Sequence, residues 1–198
     1  MSTCEQLLSL QWRQLRHDET YHKDVLILSL AERIKHMALH YAKYSARFFE
    51  FAEVNDKPRF ISTLTDAFII SLASANTLNQ DLGRSIGDRA KTAESLLLLG
   101  AELTKELGRP RSDPIWLGRT LVQQNGRLAK CCESWDHLES VSFRDVMLNC
   151  NLEIFKAILV EARALGVDLS ETYGTRLRSV EERSIFYHHY QKCSKGAD

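Results

Sequence analysis

Proline is scarce in this chain, glycine is sparse, and neither sign of charge prevails. Only three prolines occur, Pro58, Pro110 and Pro114, with nine glycines among 198 residues. So few breakers leave long uninterrupted stretches, and no convincing pair of alternating strands lies between them. Basic and acidic residues number 26 each, which argues against a dedicated nucleic-acid binder with its basic excess. No apolar run reaches the roughly 18 residues that a membrane span needs. Residues 1–13 lack the charged-then-apolar pattern of a secretory signal. The five cysteines, Cys4, Cys131, Cys132, Cys150 and Cys193, are an odd number without a CxxC. They read as reduced thiols of a cytoplasmic protein. A cysteine zinc site is not expected, because only Cys131 and Cys132 are close, and adjacent helical residues point about 100° apart.

What is present is helical periodicity. Leu30, Ile34, Met37, Tyr41, Tyr44, Phe48 and Phe51 form a 3.6-residue stripe that predicts one long helix over 24–52. A turn at Asn55-Asp56-Lys57-Pro58 precedes a helix over 59–78. Residues 88–107 are helical by propensity. Gly108 to Pro114 is the linker, with 109–113 at its centre, Asp113 as a cap and Pro114 in the next first turn. Helices follow over 115–135 and 145–165, the second closed by Gly166 as a left-handed cap. A weaker helix covers 170–192. The fold class is all-α, and short connections favour an antiparallel bundle.

The chain also repeats itself, ungapped, at an offset of 87 residues. Ala42 and Lys43 match Ala129 and Lys130. Phe68, Leu72, Ala75 and Leu78 match Phe155, Leu159, Ala162 and Leu165. Asp81, Leu82, Gly87, Arg89 and Glu94 match Asp168, Leu169, Gly174, Arg176 and Glu181. Phe68, Leu72, Ala75 and Leu78 lie on one helical face, so the repeat points to a duplicated structural unit.

Residues 126–183 resemble the MazG-like family of all-α nucleoside triphosphate pyrophosphohydrolases. Gly126-Arg127-Leu128-Ala129-Lys130 stands at the family's G-E-L-x-E segment, and Cys150-Asn151-Leu152-Glu153 at E-L-x-D. Ala164 to Leu169 followed by Glu171 matches R-L-G-I-D-L-x-E. The repeat gives the first half the same frame, at His40 to Lys43, Thr63 to Asp66, and Leu78 to Leu82. The resemblance implies two tandem units, a first over 1–108 with core 30–95 and a second over 114–198 with core 117–185. They would form one body about a pseudo-twofold axis. It also implies Mg²⁺ held by carboxylates on facing helices, and pyrophosphate release. Here the ExxE positions are His40/Lys43 and Arg127/Lys130, and one acid survives in each half, Asp66 or Glu153. The family's basic residue persists as Arg89 and Arg176, while the amide four residues on is Ala93 or Val180. Mg²⁺ is therefore expected only if the protein is active.

Two roles compete at these positions. Lys43 beside Asp66, and Lys130 beside Glu153, would neutralise a carboxylate left without its metal. The same cations, Lys43, Arg127, Lys130 and Arg176, with Glu153, would bind a nucleotide or phosphate. His36 and His40 form an HxxxH pair on one helix face, which with Asp66 makes a weaker candidate transition-metal site. Trp116 and Trp135 read as core aromatics before base-stacking ones, Cys150 as a buried small residue, and Tyr187-His188-His189-Tyr190 as an exposed helix end. The expected function is a divergent MazG-like protein that keeps anion binding with weak or no pyrophosphohydrolase activity. A non-catalytic scaffold is one alternative. An active hydrolase that recruits Glu32, Glu50, Glu53 or Glu133 is another. The expected partner is a nucleotide or phosphate, with a homodimer left open.

Overall fold

The computed structural model describes residues 2–110 and 113–190, and among them it contains helices and no strand. The helices are α1 (Thr3–Tyr21), α2 (Lys23–Leu26), α3 (Leu30–Glu53), α4 (Lys57–Thr77), α5 (Leu82–Ile86), α6 (Asp88–Thr92), α7 (Leu96–Leu107), α8 (Trp116–Asp136), α9 (Phe143–Leu165) and α10 (Leu169–Glu181). No helix is long and apolar enough to cross a membrane among the described residues.

Local chemistry sets the boundaries, and several differ from the sequence expectation. The helix expected over 24–52 begins only at Leu30, because Ser29 and Glu32 form a reciprocal capping box that starts a new helix there. The stretch 88–107 is divided in the same way. α6 ends at Thr92, and Ser95 caps α7 by accepting from the Leu98 amide. α10 stops at Glu181, and helix resumes only at 187–190. α1 had no counterpart in the periodicity reading, although Ser2 and Glu5 form a capping box at its start. α4 begins at Lys57, inside the expected turn, because Asp56 accepts from the Arg59 amide and Pro58 fits the first helical turn. Residues 111–112 of the expected linker and 191–198 of the second unit lie outside the described residues.

α4 and α9 form the centre. Each buries residues on most of its circumference, as an interior helix must. Their Phe68 and Phe155 rings stack with centroids 5.7 Å apart. α3, α1 and α10 pack against α4, while α8 and α7 pack against α9, and α3 lies along α8. Residues 54–56 alone join α3 to α4, so this packed pair runs antiparallel. Local geometry recurs at the offset of 87. Asp81 and Asp168 cap α5 and α10. Gln80 N donates to Ala75 O at 2.8 Å, and Val167 N to Ala162 O at 2.9 Å. Asn79 and Gly166 both take a positive φ in these turns.

A buried polar network crosses the centre. The Tyr41 hydroxyl donates to Asn151 Oδ1 at 2.9 Å, Asn151 Nδ2 to Gln80 Oε1 at 3.0 Å, and Gln80 Nε2 to the Leu148 carbonyl at 3.0 Å. Gln11 extends it by donating to Gln80 O at 2.7 Å and accepting from Leu82 N at 3.1 Å, which docks α1 on the α4–α5 turn. With its members mutually satisfied, such a network fixes register as well as stability. Just after α7, Arg109 grips the buried Glu161 of α9 through two bonds of 2.7 and 3.0 Å.

Two glycines predict opposite responses to alanine. A methyl at Gly100 on α7 would overlap the Leu159 carbonyl oxygen and lie 3.1 Å from Arg163 Cβ. Gly100→Ala therefore destabilises, because overpacking against backbone costs about 1–3 kcal/mol and exceeds the helix-propensity gain of about 0.5–1 kcal/mol. Gly126 lies inside α8 with nothing within 4 Å of a would-be Cβ, so Gly126→Ala stabilises by up to about 1 kcal/mol. Urea unfolding of both variants checks the pair of signs.

Candidate functional site

The α1–α2 elbow, α3, α4 and α10 enclose a cavity of about 330 Å³. Four of the chain's seven histidines, His17, His22, His36 and His40, line it. Its charged lining comprises Arg33, Lys43, Arg47 and Arg176 against Asp18 and Asp66. Met37, Ile69, Ile70 and Leu177 supply an apolar wall.

Helical spacing puts His36, His40, Lys43 and Arg47 on one face of α3. The Lys43 ammonium lies 3.1 Å from His40 Nδ1. An ammonium only donates, so Nδ1 accepts and the His40 proton sits on Nε2. That N–H then donates to His36 Nε2, 3.1 Å away. The two rings are thus tied to each other. Burial, reinforced by Lys43, His36 and His22, pushes the His40 pKa down from 6.5 to about 4. Lys43 is also shifted down, first by burial and then by Arg47, with Asp66 opposing. Its ammonium lies 4.7 Å from the centroid of the Tyr44 ring. Burial raises the Tyr44 hydroxyl above its ordinary range and keeps it protonated.

Asp66 does not take Lys43 as its direct partner. Arg176 reaches it from α10 with Nε–Oδ1 at 2.6 Å and Nη2–Oδ2 at 3.1 Å. The planar guanidinium matches both carboxylate oxygens at once, which a single ammonium cannot do. This bond raises the Arg176 pKa. The basic residue of the second half therefore completes the cavity of the first half. Among the described residues no carboxylate forms an ion pair with Arg33, Lys43 or Arg47.

The second half is built differently. Lys130 is exposed and pairs with Glu133 at 3.1 Å and Glu139 at 3.3 Å, not with Glu153. Glu153 pairs at 2.9 Å with Lys156, three residues on along its own helix. Lys156 also holds Glu106 at 2.9 Å, and Arg89 pairs with Glu106. Arg127 is exposed and bonds Gln124 at 3.2 Å. Arg127, Lys130 and Glu153 thus lie away from the cavity that receives Lys43 and Arg176.

The candidate metal set of His36, His40 and Asp66 is not assembled. The histidines bond each other, and Arg176 occupies Asp66. Among the described residues, the one group of three such side chains with ligand atoms within 4.8 Å of one another is His17, Asp18 and His22. The sequence reading missed these three, together with Gln14 and Arg33. The spacing i, i+1, i+5 carries no helical signal, and His22 joins only because α1 ends there with φ −127° and ψ 44°. None of Glu32, Glu50, Glu53 or Glu133 lines the cavity. Glu32 is bound into its own capping box, and Glu133 into the Lys130 pair. Cys150 is fully buried and its thiol pKa is raised by burial, which suits an inert packing residue. Trp116 is core, and Trp135 stacks on Phe143 at 5.6 Å.

A half-buried His40 with a lowered pKa predicts a pH dependence of known sign. The unfolded chain takes up this proton near 6.5 and the folded chain near 4. Between those values the unfolded state binds more protons, so stability is full above 6.5 and falls as pH drops toward 4. Urea midpoints across this window should fall more steeply for the wild type than for His40→Gln. Equal slopes would show that His40 titrates normally.

No family model, curated protein or solved structure matches the chain, so its function must be read from the cavity.

Proposed function

We propose that this chain is a duplicated MazG-like bundle whose first-half site binds a phosphate-bearing anion, such as a nucleotide, directly on cationic side chains, with weak or no pyrophosphohydrolase activity. The observation that carries the reading is the uncompensated positive charge of the cavity. Four cations line it, Asp18 and Asp66 oppose them, and Arg176 already engages Asp66. Burial first, and then repulsion from Arg47, lowers the Lys43 pKa. A bound phosphate relieves that repulsion, and its oxygens suit guanidinium and ammonium donors. The apolar wall of Met37, Ile69 and Ile70 offers a place for a base or other flat group beside the charged end.

The duplication is supported by element order and by side-chain contact. α1, α3, α4 and α5 are followed by α7, α8, α9 and α10 at nearly constant offset. The stacked pair Phe68 and Phe155 are themselves 87 residues apart, and equivalent residues touch each other only near a twofold axis. Under this symmetry, which places α7 in the second repeat rather than in the first unit, Arg176 and Arg89 exchange places, Arg176 meeting Asp66 of α4 and Arg89 meeting Glu106 of α7. The second site is then the neutralised cluster of Arg89, Glu106, Glu153 and Lys156.

Titration calorimetry with pyrophosphate and nucleotides, without metal, tests the binding. Arg176→Ala and Lys43→Ala should each weaken affinity about tenfold or more, whereas Asp66→Asn should strengthen it, because one opposing charge is removed while the cations stay. Weaker binding by Asp66→Asn in a protein of unchanged fold would overturn the reading.

The cavity also predicts poor Mg²⁺ chemistry. Mg²⁺ needs oxygen ligands in near-octahedral array, and at His40/Lys43 it would meet an imidazole and an ammonium. A pyrophosphate-release assay with Mg²⁺ or Mn²⁺ should show turnover well below about 1 s⁻¹. Faster turnover abolished by Glu153→Gln would establish the active, rearranged enzyme instead.

A further inference from the structure

We infer that the α1–α2 elbow is a transition-metal site in which His17, Asp18 and His22 bind a Zn²⁺-type ion whose open coordination position faces the cavity. The first observation is the clustering of three ligand atoms within 4.8 Å. A tetrahedral ion with bonds of about 2.0 Å holds its ligand atoms about 3.3 Å apart, so closure of the order of 1 Å completes the set. His22 can supply that movement because it stands between two helices, in non-helical backbone.

The second observation is independent of the first. His17 is 6 % exposed, and neither of its ring nitrogens has a hydrogen-bond partner. Buried polar atoms in folded proteins are almost always satisfied, and each orphan costs about 1–3 kcal/mol. A neutral imidazole offers one lone pair and one N–H. A metal takes the lone pair, and a carboxylate suits the N–H. Both nitrogens have a carboxylate nearby. Nδ1 lies 3.7 Å from Asp18, and Nε2 lies 3.9 Å from Glu181 at the end of α10. With Asp18 on the ion, Glu181 is placed to accept from the other nitrogen, the carboxylate–histidine–metal arrangement that orients a ligating ring. Gln14 donates to Asp18 Oδ1 at 2.8 Å and steadies that carboxylate.

The donor set selects the metal class. Two imidazoles and one carboxylate suit Zn²⁺, Co²⁺ or Ni²⁺, while Mg²⁺ prefers an all-oxygen shell. Three protein ligands leave the fourth position for water or an anion oxygen from the cavity. The site rests on His17, Asp18, His22 and Glu181 and does not depend on anion binding by Lys43 and Arg176.

The test uses the untagged full chain, stripped with a chelator and titrated with Co²⁺ by visible absorption and with Zn²⁺ by calorimetry. The expected result is one equivalent bound, with tetrahedral cobalt bands and no thiolate charge-transfer band. His22→Ala and Asp18→Asn each weaken binding at least tenfold. Both alter partly exposed residues, so folding is checked by circular dichroism and the two variants support each other. Arg176→Ala keeps the metal while losing pyrophosphate, which separates this inference from the anion reading. Absence of saturable binding would overturn the site, and so would a thiolate spectrum. Binding that survives His22→Ala and Asp18→Asn but disappears with His36→Ala would do the same.

Discussion

Everything else in the molecule is arranged around the contact between α4 and α9. Phe68 and Phe155 stack at its centre, and the small residues Ala67, Ser71, Ala75, Ala157 and Ala162 are buried along the same two helices. A helix covered on most of its surface has no face left for water, so its neighbours must come from elsewhere in the chain. α3, α1 and α10 cover α4, while α8 and α7 cover α9. The cavity follows from that arrangement. It opens where the α1–α2 elbow and α10 meet α3 and α4, so it draws side chains from the two ends of the sequence. The Arg176–Asp66 bond spans 110 residues and exists only because α10 returns to α4.

Positions related by the offset of 87 residues share turn and cap geometry but not polar chemistry. Tyr41 and Asn151 bond each other at the centre, while the positions 87 residues away from them are the buried leucines Leu128 and Leu64. The charged positions diverge as well. Lys43 and Arg47 face a cavity with no carboxylate of their own, whereas Glu106, Glu153, Lys156 and Arg89 neutralise one another. An ion pair with a partner on its own helix is satisfied wherever that helix goes. A cation facing a cavity without a carboxylate partner has its charge neutralised only by an anion that enters. That difference places the candidate chemistry in one half.

Much of the framework was legible in the sequence. Few breakers and 3.6-residue stripes gave the all-helical class, and Gly166 closed a helix where its backbone preference requires. The readings that failed were those where a cap outweighed the stripe. Ser29 and Ser95 each begin a helix inside a stretch whose hydrophobic pattern runs on, because satisfying the first free amides fixes a helix start that periodicity alone does not mark. At the site, the position of Lys43 on the polar face of α3 could be read from spacing. Its neighbours could not, since His17, Asp18 and His22 come together only where α1 stops being a helix.

The sequence by itself determined most of the long helices, the offset of 87 residues and the basic side chains at Lys43 and Lys130. These depend on backbone propensity, capping and side-chain identity over a few turns, which are local properties. The tertiary structure alone decided the partners. Asp66 went to Arg176 because a forked guanidinium on α10 came within reach of both oxygens, and Lys130 went to Glu133 and Glu139 because its end of α8 faces water. Charge pairing depends on distance and burial, and both are set by how the helices dock.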